Sequence, residues 1–320
     1  MKNARPWRYN RRMGFSVAIR ASGFYRLTVL ALCLSACAGP AQAEVPVTII
    51  TATPSQTAPA TATRPVTATQ TFAPFPSSTT IPTATATPTP PCPESRGAVS
   101  QEELESQALD GQTIPFRLYL PPCYATFTWQ RYPVLYLIHG VNMNEDTWID
   151  LGVAATADSL ITQGQAPPFI IVMPRVPDDI RFTESVAFDL VPAIDAQYRT
   201  LPDRSYRALG GMSRGGGWTV RIGLQYPHLF GSLGLHSLAI MLADEDKVVG
   251  WLNKLPDDKL PRIYMDIGKS DSLLDSATWL DQALTARFVT HEWHLNPGRH
   301  ELQYWRSHVL EYLQWYTAAW

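Results

Sequence analysis

Short apolar runs, each closed by Gly, Pro or Asp, alternate with longer stretches of mixed polarity through the C-terminal part of the chain. The runs IPFRLYLPP (114–122), YPVLYLIHG (132–140), PFIIVMPRV (168–176), RALGGMS (207–213), LFGSLGLHS (229–237), PRIYMDIGKSD (261–271) and HEWHLNPG (291–298) predict strands. Between them, VAFDLVPAIDAQYR (186–199), GWTVRIGLQYP (217–227), DEDKVVGWLNKL (244–255), LLDSATWLDQALTAR (273–287) and ELQYWRSHVLEYLQWY (301–316) space their apolar residues as helices do. Pro192 is a misfit inside the first of these, because proline has no N–H to donate, and it predicts a kink or a late helix start. Strands apolar on both faces and separated by helices imply an α/β fold, a three-layer α/β/α sandwich on a mostly parallel sheet. Such a sheet displays ligand sites at the C-terminal ends of its strands.

The N-terminal part reads differently. Residues 1–36 hold Lys2 and six arginines, no acid, and the apolar run LTVLALCLSAC, the pattern of an export signal and too short for a membrane span. The ending Leu-Ser-Ala-Cys at 34–37 resembles the bacterial lipoprotein signal, in which the cysteine, here Cys37, is lipidated; the alternative is ordinary cleavage near AQA at 41–43. Residues 45–91 are mostly Thr, Ala, Pro and Ser with almost no charge, which cannot bury enough apolar surface to offset the entropy of ordering. The expected organisation is therefore a signal peptide at 1–36, a tether at 37–91 and one globular domain at 92–320, with an extracytoplasmic location and contact with a membrane only through the N-terminal lipid.

Charge and cysteine usage narrow the partners. Loss of residues 1–36 leaves 19 basic against 28 acidic residues, which argues against nucleic acid because phosphate binding needs a positive footprint. Oligomeric state is left open. Cys92 and Cys123 form an even pair in an oxidising compartment, predicting a disulfide from the first domain residues to the loop after the first strand; two unrelated buried thiols are the alternative. Neither their spacing nor a neighbouring histidine points to zinc.

Candidate chemistry begins at Gly211-Met212-Ser213-Arg214-Gly215, which follows a predicted strand and opens a predicted helix. In that setting G-x-S-x-G is a tight turn that aims one hydroxyl at a base and a substrate, and glycine removes the side chains that would collide two residues to either side. A phosphate-cradling turn is the competing reading, but neither G-x-x-x-x-G-K-[ST] nor G-x-G-x-x-G is present. The ordered set YPVLYLIHGVNMNEDTW, DLVPAIDAQYRT, RALGGMSRGGG, GKSD and NPGRHELQYWRSHVLEYLQWY, spread over residues 112–316, resembles the esterase branch of the α/β-hydrolase family. That branch includes feruloyl and acetyl-xylan esterases, siderophore esterases, S-formylglutathione hydrolases and mycolyltransferases.

The resemblance implies a triad in the chain order serine, acid, histidine. Asp271 fits the family's Gly-x-x-Asp position, with Asp266 and Asp275 as rivals; Asp266 lies within a strand, where an inward carboxylate is costly, and Asp275 reads as an early-helix surface residue. His300, in the loop before the last helix, is the expected base. His291, His294 and His308 lack that setting, and His236 ends a strand where it could line the pocket. The resemblance places the oxyanion donors on the N–H groups of Arg214 and Val141, and His139, Gly140 and Trp148 around the substrate pocket, with Trp148 mainly packing the loop down. The Arg214 side chain either pairs with a neighbouring carboxylate, the commoner arrangement, or faces an anionic or polyhydroxyl substrate. Residues 241–260 are either a small acidic cap or an ordinary crossover helix.

These elements point to a serine carboxylic-ester hydrolase acting on a small-molecule or carbohydrate ester, complete without a metal or organic cofactor. The competing functions are acyl transfer to a sugar or other alcohol, and a cell-surface binding protein with a relic site. The second has no reason to retain nucleophile, acid, base and oxyanion donors together.

Overall fold

The computed structural model describes residues 92–241 and 244–320, so the signal peptide at 1–36, Cys37 and the tether at 37–91 lie outside the described residues. Eight strands form one sheet: β1 (Ala98–Ser106), β2 (Gln112–Leu120), β3 (Val134–Ile138), β4 (Ile170–Pro174), β5 (Arg207–Met212), β6 (Ser232–His236), β7 (Arg262–Gly268) and β8 (Glu292–Asn296). Their order is β1-β2-β4-β3-β5-β6-β7-β8. The pairs β1/β2 and β2/β4 are antiparallel and every other pair is parallel.

The period-2 alternation of each central strand divides the core between the two faces of this sheet. Val134, Tyr136 and Ile138 of β3, with Leu233 and Leu235 of β6, face one side. There they meet α4 (Val191–Gln197), α5 (Arg214–Gln225), α6 (Glu245–Lys254) and α7 (Leu274–Thr285). Leu135 and Leu137 face the other side, against α1 (Thr147–Asp150), α2 (Val153–Thr162) and α8 (Leu302–Thr317). This is the three-layer α/β/α sandwich. Each fully buried Leu, Ile or Val contributes about 1.5–3 kcal/mol to holding the layers together.

The structure adds one strand to the sequence reading and settles its open alternatives. β1 is an additional strand, so the loop that Cys123 occupies follows the second strand rather than the first. Cys92 and Cys123 form the expected disulfide. The stretch around Pro192 is a helix interrupted in its middle: α3 (Phe182–Ser185) runs into a π-helical turn at Val186–Leu190, and α4 begins at Val191 with proline in its first turn. The acidic stretch is a crossover helix rather than a cap, because Val248 and Leu252 of α6 are buried in the main core. Residues 242–243 lie outside the described residues.

Candidate active site

Ser213 sits between the end of β5 and the start of α5 with φ 55° and ψ −123°, a conformation that non-glycine residues rarely adopt. Such strain costs on the order of 1–3 kcal/mol and persists only where the surroundings over-determine it. Here they do. The Ser213 N–H donates to the His236 carbonyl at 2.9 Å, and the Ser213 carbonyl accepts from the N–H groups of Gly216 at 3.0 Å and Ala239 at 2.9 Å. A Cβ at 211 would overlap the Gly215 backbone, and one at 215 would overlap the Ile138 carbonyl. Glycine at these two positions therefore lets β5, α5 and β3 close around the turn.

His300, in the loop between β8 and α8, approaches Ser213 Oγ to 2.9 Å with Nε2. Its Nδ1 lies 3.1 and 3.0 Å from the two carboxylate oxygens of Asp271, which follows β7 in the turn to α7. The three side chains thus form one continuous hydrogen-bonded line. Burial alone would push the Asp271 carboxyl up, but donation from the His300 ring and from the Leu273 N–H outweighs it and holds the group below the usual carboxylate value. The edge of the His300 ring is packed against Trp305, centroids 5.0 Å apart.

The rival residues are placed elsewhere. Asp275 is exposed in the first turn of α7. Asp266 is 1% exposed and points inward, but its cost is offset: it accepts from His236 Nδ1 at 2.7 Å, the Tyr304 hydroxyl at 2.8 Å and the Tyr312 hydroxyl at 2.7 Å. His236, a candidate pocket residue in the sequence, is fully buried and engaged in that cluster, so it lines no pocket. His291 is tied to Asp281, His308 to the Tyr304 carbonyl, and His294 stacks on Tyr264.

The loop after β3 faces Ser213 from the opposite side. A Cβ on Gly140 would lie 3.3 Å from the Ser213 Cβ, so glycine allows this loop to pass beside Ser213. Among the described residues, the N–H groups of Val141 and Arg214 find no acceptor, and Arg214 opens α5, where the helix dipole favours negative charge. The His139 ring is buried. Its Nδ1 lies 2.7 Å from the Gly140 carbonyl and its Nε2 3.0 Å from the Val176 N–H, which fixes a neutral ring with the proton on Nδ1. Burial pushes its pKa down. Glu145 adds a bidentate pair with Arg175, just past the end of β4, at 2.6 and 3.0 Å, and Asp146 a pair with Arg117 of β2 at 2.6 Å, so two further segments hold the loop.

Two sequence expectations are corrected here. Trp148 and His139 are 1% and 2% exposed, so neither lines a pocket; Trp148 instead takes the packing role that the sequence reading favoured, its ring edge-on to His236. Arg214 makes no ion pair among the described residues, and its buried Nε has no partner, so the carboxylate pairing is not what holds it.

A groove of about 350 Å³ opens between the loop after β3 and the start of α8, lined by Asn142, Met143, Asn144, Asp150, Leu302 and Arg306 among others. Met143 reaches it from beside Gly140, and Leu302 stands two residues beyond His300. The sequence reading did not single out these residues. The signal was present in Asn142 and Asn144, amides flanking a methionine just past the His-Gly pair.

A family profile described as putative esterase matches residues 106–316. An endo-1,4-beta-xylanase/feruloyl esterase of Xylanibacter ruminicola is 35% identical over 169 residues, which cover 48% of this chain and 23% of that protein. An esterase of Mycobacterium tuberculosis is 32% identical over 150 residues, 42% of this chain and 31% of that protein. The matched part of the chain thus spans less than a third of the length of these curated relatives. Among solved structures, a ferulic acid esterase superposes with a TM-score of 0.63 at 24% identity, covering 70% of this chain and all of that one. An S-formylglutathione hydrolase of Staphylococcus aureus gives 0.59 at 17% identity, covering 69% and 96%. At such identities the likeness is one of fold.

Proposed function

From the premise that this chain belongs to the putative esterase family of α/β-hydrolases, we propose that it is an exported serine carboxylic-ester hydrolase with Ser213, His300 and Asp271 as its triad. The observation that carries this reading is the line Ser213 Oγ, His300 ring, Asp271 carboxylate, at 2.9 and 3.0 Å. His300 Nε2 takes the hydroxyl proton as Oγ attacks the ester carbonyl, and Asp271 fixes the tautomer that leaves Nε2 free to accept it. The oxyanion is met by the N–H groups of Val141 and Arg214, donors worth roughly 3–4 kcal/mol each at the transition state. His300 then returns the proton to the leaving alcohol, and water repeats the cycle on the acyl-enzyme.

The groove between the loop after β3 and the start of α8 pairs amide, carboxylate and guanidinium groups with apolar Met143, Leu151 and Leu302, which suits a polyhydroxyl alcohol carrying an ester. Acylated carbohydrate is therefore the substrate class, in keeping with the xylanase/feruloyl esterase relative. In this reading residues 1–36 direct export, Cys37 carries the lipid, and residues 37–91 tether the domain at 92–320 to the cell surface.

The test is hydrolysis of short-chain p-nitrophenyl esters and feruloylated sugars by the full chain. Ser213→Ala should lower kcat by more than roughly 10³-fold with the fold intact, since the groups of a triad act as a unit. Equal turnover by both proteins would end the enzyme reading. Radiolabelled palmitate should enter the wild-type chain in a lipoprotein-processing bacterium and be absent from Cys37→Ser.

A further inference from the structure

We propose that Asp266 is a positioning residue for the base: its buried carboxylate fixes the ring of Tyr304, which underlies the loop that carries His300. The inference rests on the reading of His300 as the base.

The loop is confined from two sides. On one, the Gly298 carbonyl accepts from the Ser270 N–H at 3.0 Å and the Asn296 carbonyl from the Lys269 N–H at 2.7 Å, which lays the loop along the turn leading to Asp271. On the other side lies the Tyr304 ring, so close that a Cβ on Gly298 would overlap it. The orientation of that ring therefore sets where residues 298–300 rest. Its hydroxyl donates to Asp266 Oδ2 at 2.8 Å, and Asn296 Nδ2 approaches the same hydroxyl at 3.4 Å. A directional bond fixes a ring angle that apolar packing leaves free to adjust.

The same carboxylate also reaches towards the nucleophile. Asp266 Oδ1 accepts from His236 Nδ1 at 2.7 Å, and the His236 carbonyl is the acceptor that holds the Ser213 N–H. The far nitrogen of that imidazole lies 2.9 Å from the Tyr316 hydroxyl. Tyr316 reaches it across Gly210 and Gly234, register partners in the middle of β5 and β6, where any Cβ would overlap the phenol. Tyr312 completes the set, stacked on His236 with centroids 3.7 Å apart and donating to Oδ2 at 2.7 Å. Burial first, then the charge of Asp266, pushes Tyr304 and Tyr312 above the ordinary phenol range, so both remain donors. A single carboxylate on β7 thus gathers the end of β6, which holds Ser213, and the start of α8, which supports His300.

A purely structural cluster would affect how much protein folds. A positioning cluster also affects how fast each folded site turns over. The measurement is therefore kcat and KM per active site, with sites counted by fluorophosphonate titration of the full chain. Tyr304→Phe keeps the ring and loses the bond to Asp266; Asp266→Asn keeps the size and replaces an acceptor with a donor. Tyr264→Phe is the control: it loses a part-buried bond to Glu311, 2.6 Å long, that does not involve Asp266 or the His300 loop, and it keeps its ring against His236 and Tyr312.

Displacements of the order of 1 Å cost up to about 100-fold in rate, so Tyr304→Phe and Asp266→Asn should lower kcat per site roughly 10- to 100-fold with little change in KM. Tyr264→Phe should turn over as wild type does. Wild-type turnover per site in Tyr304→Phe would overturn the proposal whatever happens to its melting temperature, and so would an equal loss in Tyr264→Phe. If Ser213→Ala remains active, the triad reading fails and this inference with it. If Ser213→Ala is inactive while Tyr304→Phe is unimpaired, only the positioning role is lost.

Discussion

Asp271 and Asp266 stand five residues apart, and their neighbours give them different tasks. Asp271 holds the imidazole, and its carboxyl is depressed because the His300 and Leu273 donors outweigh burial. A depressed acid contributes stability that is present above its unfolded value and lost as pH falls through the lower folded one, so this contribution is constant at neutral pH and disappears only in strong acid. Asp271→Asn should therefore fold normally at pH 7 yet lose roughly 10⁴-fold in kcat, because the amide favours the wrong tautomer; ester turnover against pH would show it. His139 is depressed for another reason, burial of a ring whose two nitrogens are already engaged. Its neutral-ring contribution is complete above the unfolded value of 6.5 and is lost as pH falls through the lower folded one. The melting temperature of the wild type should drop between pH 7.5 and 5 more steeply than that of His139→Gln, which does not titrate; parallel curves would disprove it. That Ser213, Asp271 and His300 would meet was already implied by the resemblance of their motifs and chain order to the esterase family. Asp266 could not be resolved that way, since its donors lie 30, 38 and 46 residues away and only the fold brings them to a strand-interior carboxylate.

Elements were legible where burial dictates composition. β3, with every residue of VLYLI buried, reads directly from its apolar run, whereas β1, AVSQEELES, is an edge strand whose exposed face is polar and whose pairing with β2 supplies the hydrogen bonds that its sequence does not advertise. α2 escaped notice because its inward residues are only three, Val153, Ala157 and Leu160, too few for a clear helical period. The proline of α4 could be flagged but not resolved: a π-turn ahead of it is one of several ways to accommodate a missing N–H. Strand glycines carry information of the same kind. Gly210 and Gly234 read as weak points in β5 and β6, and the structure shows that they admit Tyr316. Gly234→Ala should therefore destabilise by about 1–3 kcal/mol through overpacking, against the small gain that alanine gives in an open strand. Urea unfolding would report it, and an unchanged midpoint would mean that Tyr316 reaches His236 by another route.

At the scale of the molecule, the disulfide and the edge strand bear on one consequence of the proposed tether: how a domain held by its N-terminal end would keep its first strand. β1 begins at Ala98 on the outer edge of the sheet, so a pull at residue 92 would peel it from β2 one pair at a time. The bond from Cys92 to Cys123 takes that pull to the loop after β2, and Glu94 adds to the closure by accepting from the Cys123 N–H at 2.8 Å and the Thr126 hydroxyl at 3.2 Å. The bond spans 31 residues of sequence, and closing a loop of that length lowers the entropy of the unfolded chain by an amount worth roughly 3–4 kcal/mol. Cys92→Ser with Cys123→Ser should lose about that much in denaturant unfolding, and the wild type should lose the same in reductant. Turnover of p-nitrophenyl acetate at 25 °C should be unchanged, because Ser213, Asp271 and His300, the proposed triad, come from the ends of β5 and β7 and the loop before α8, none of which the bond touches. A fall in kcat without a fall in stability would instead tie this corner of the sheet to the chemistry.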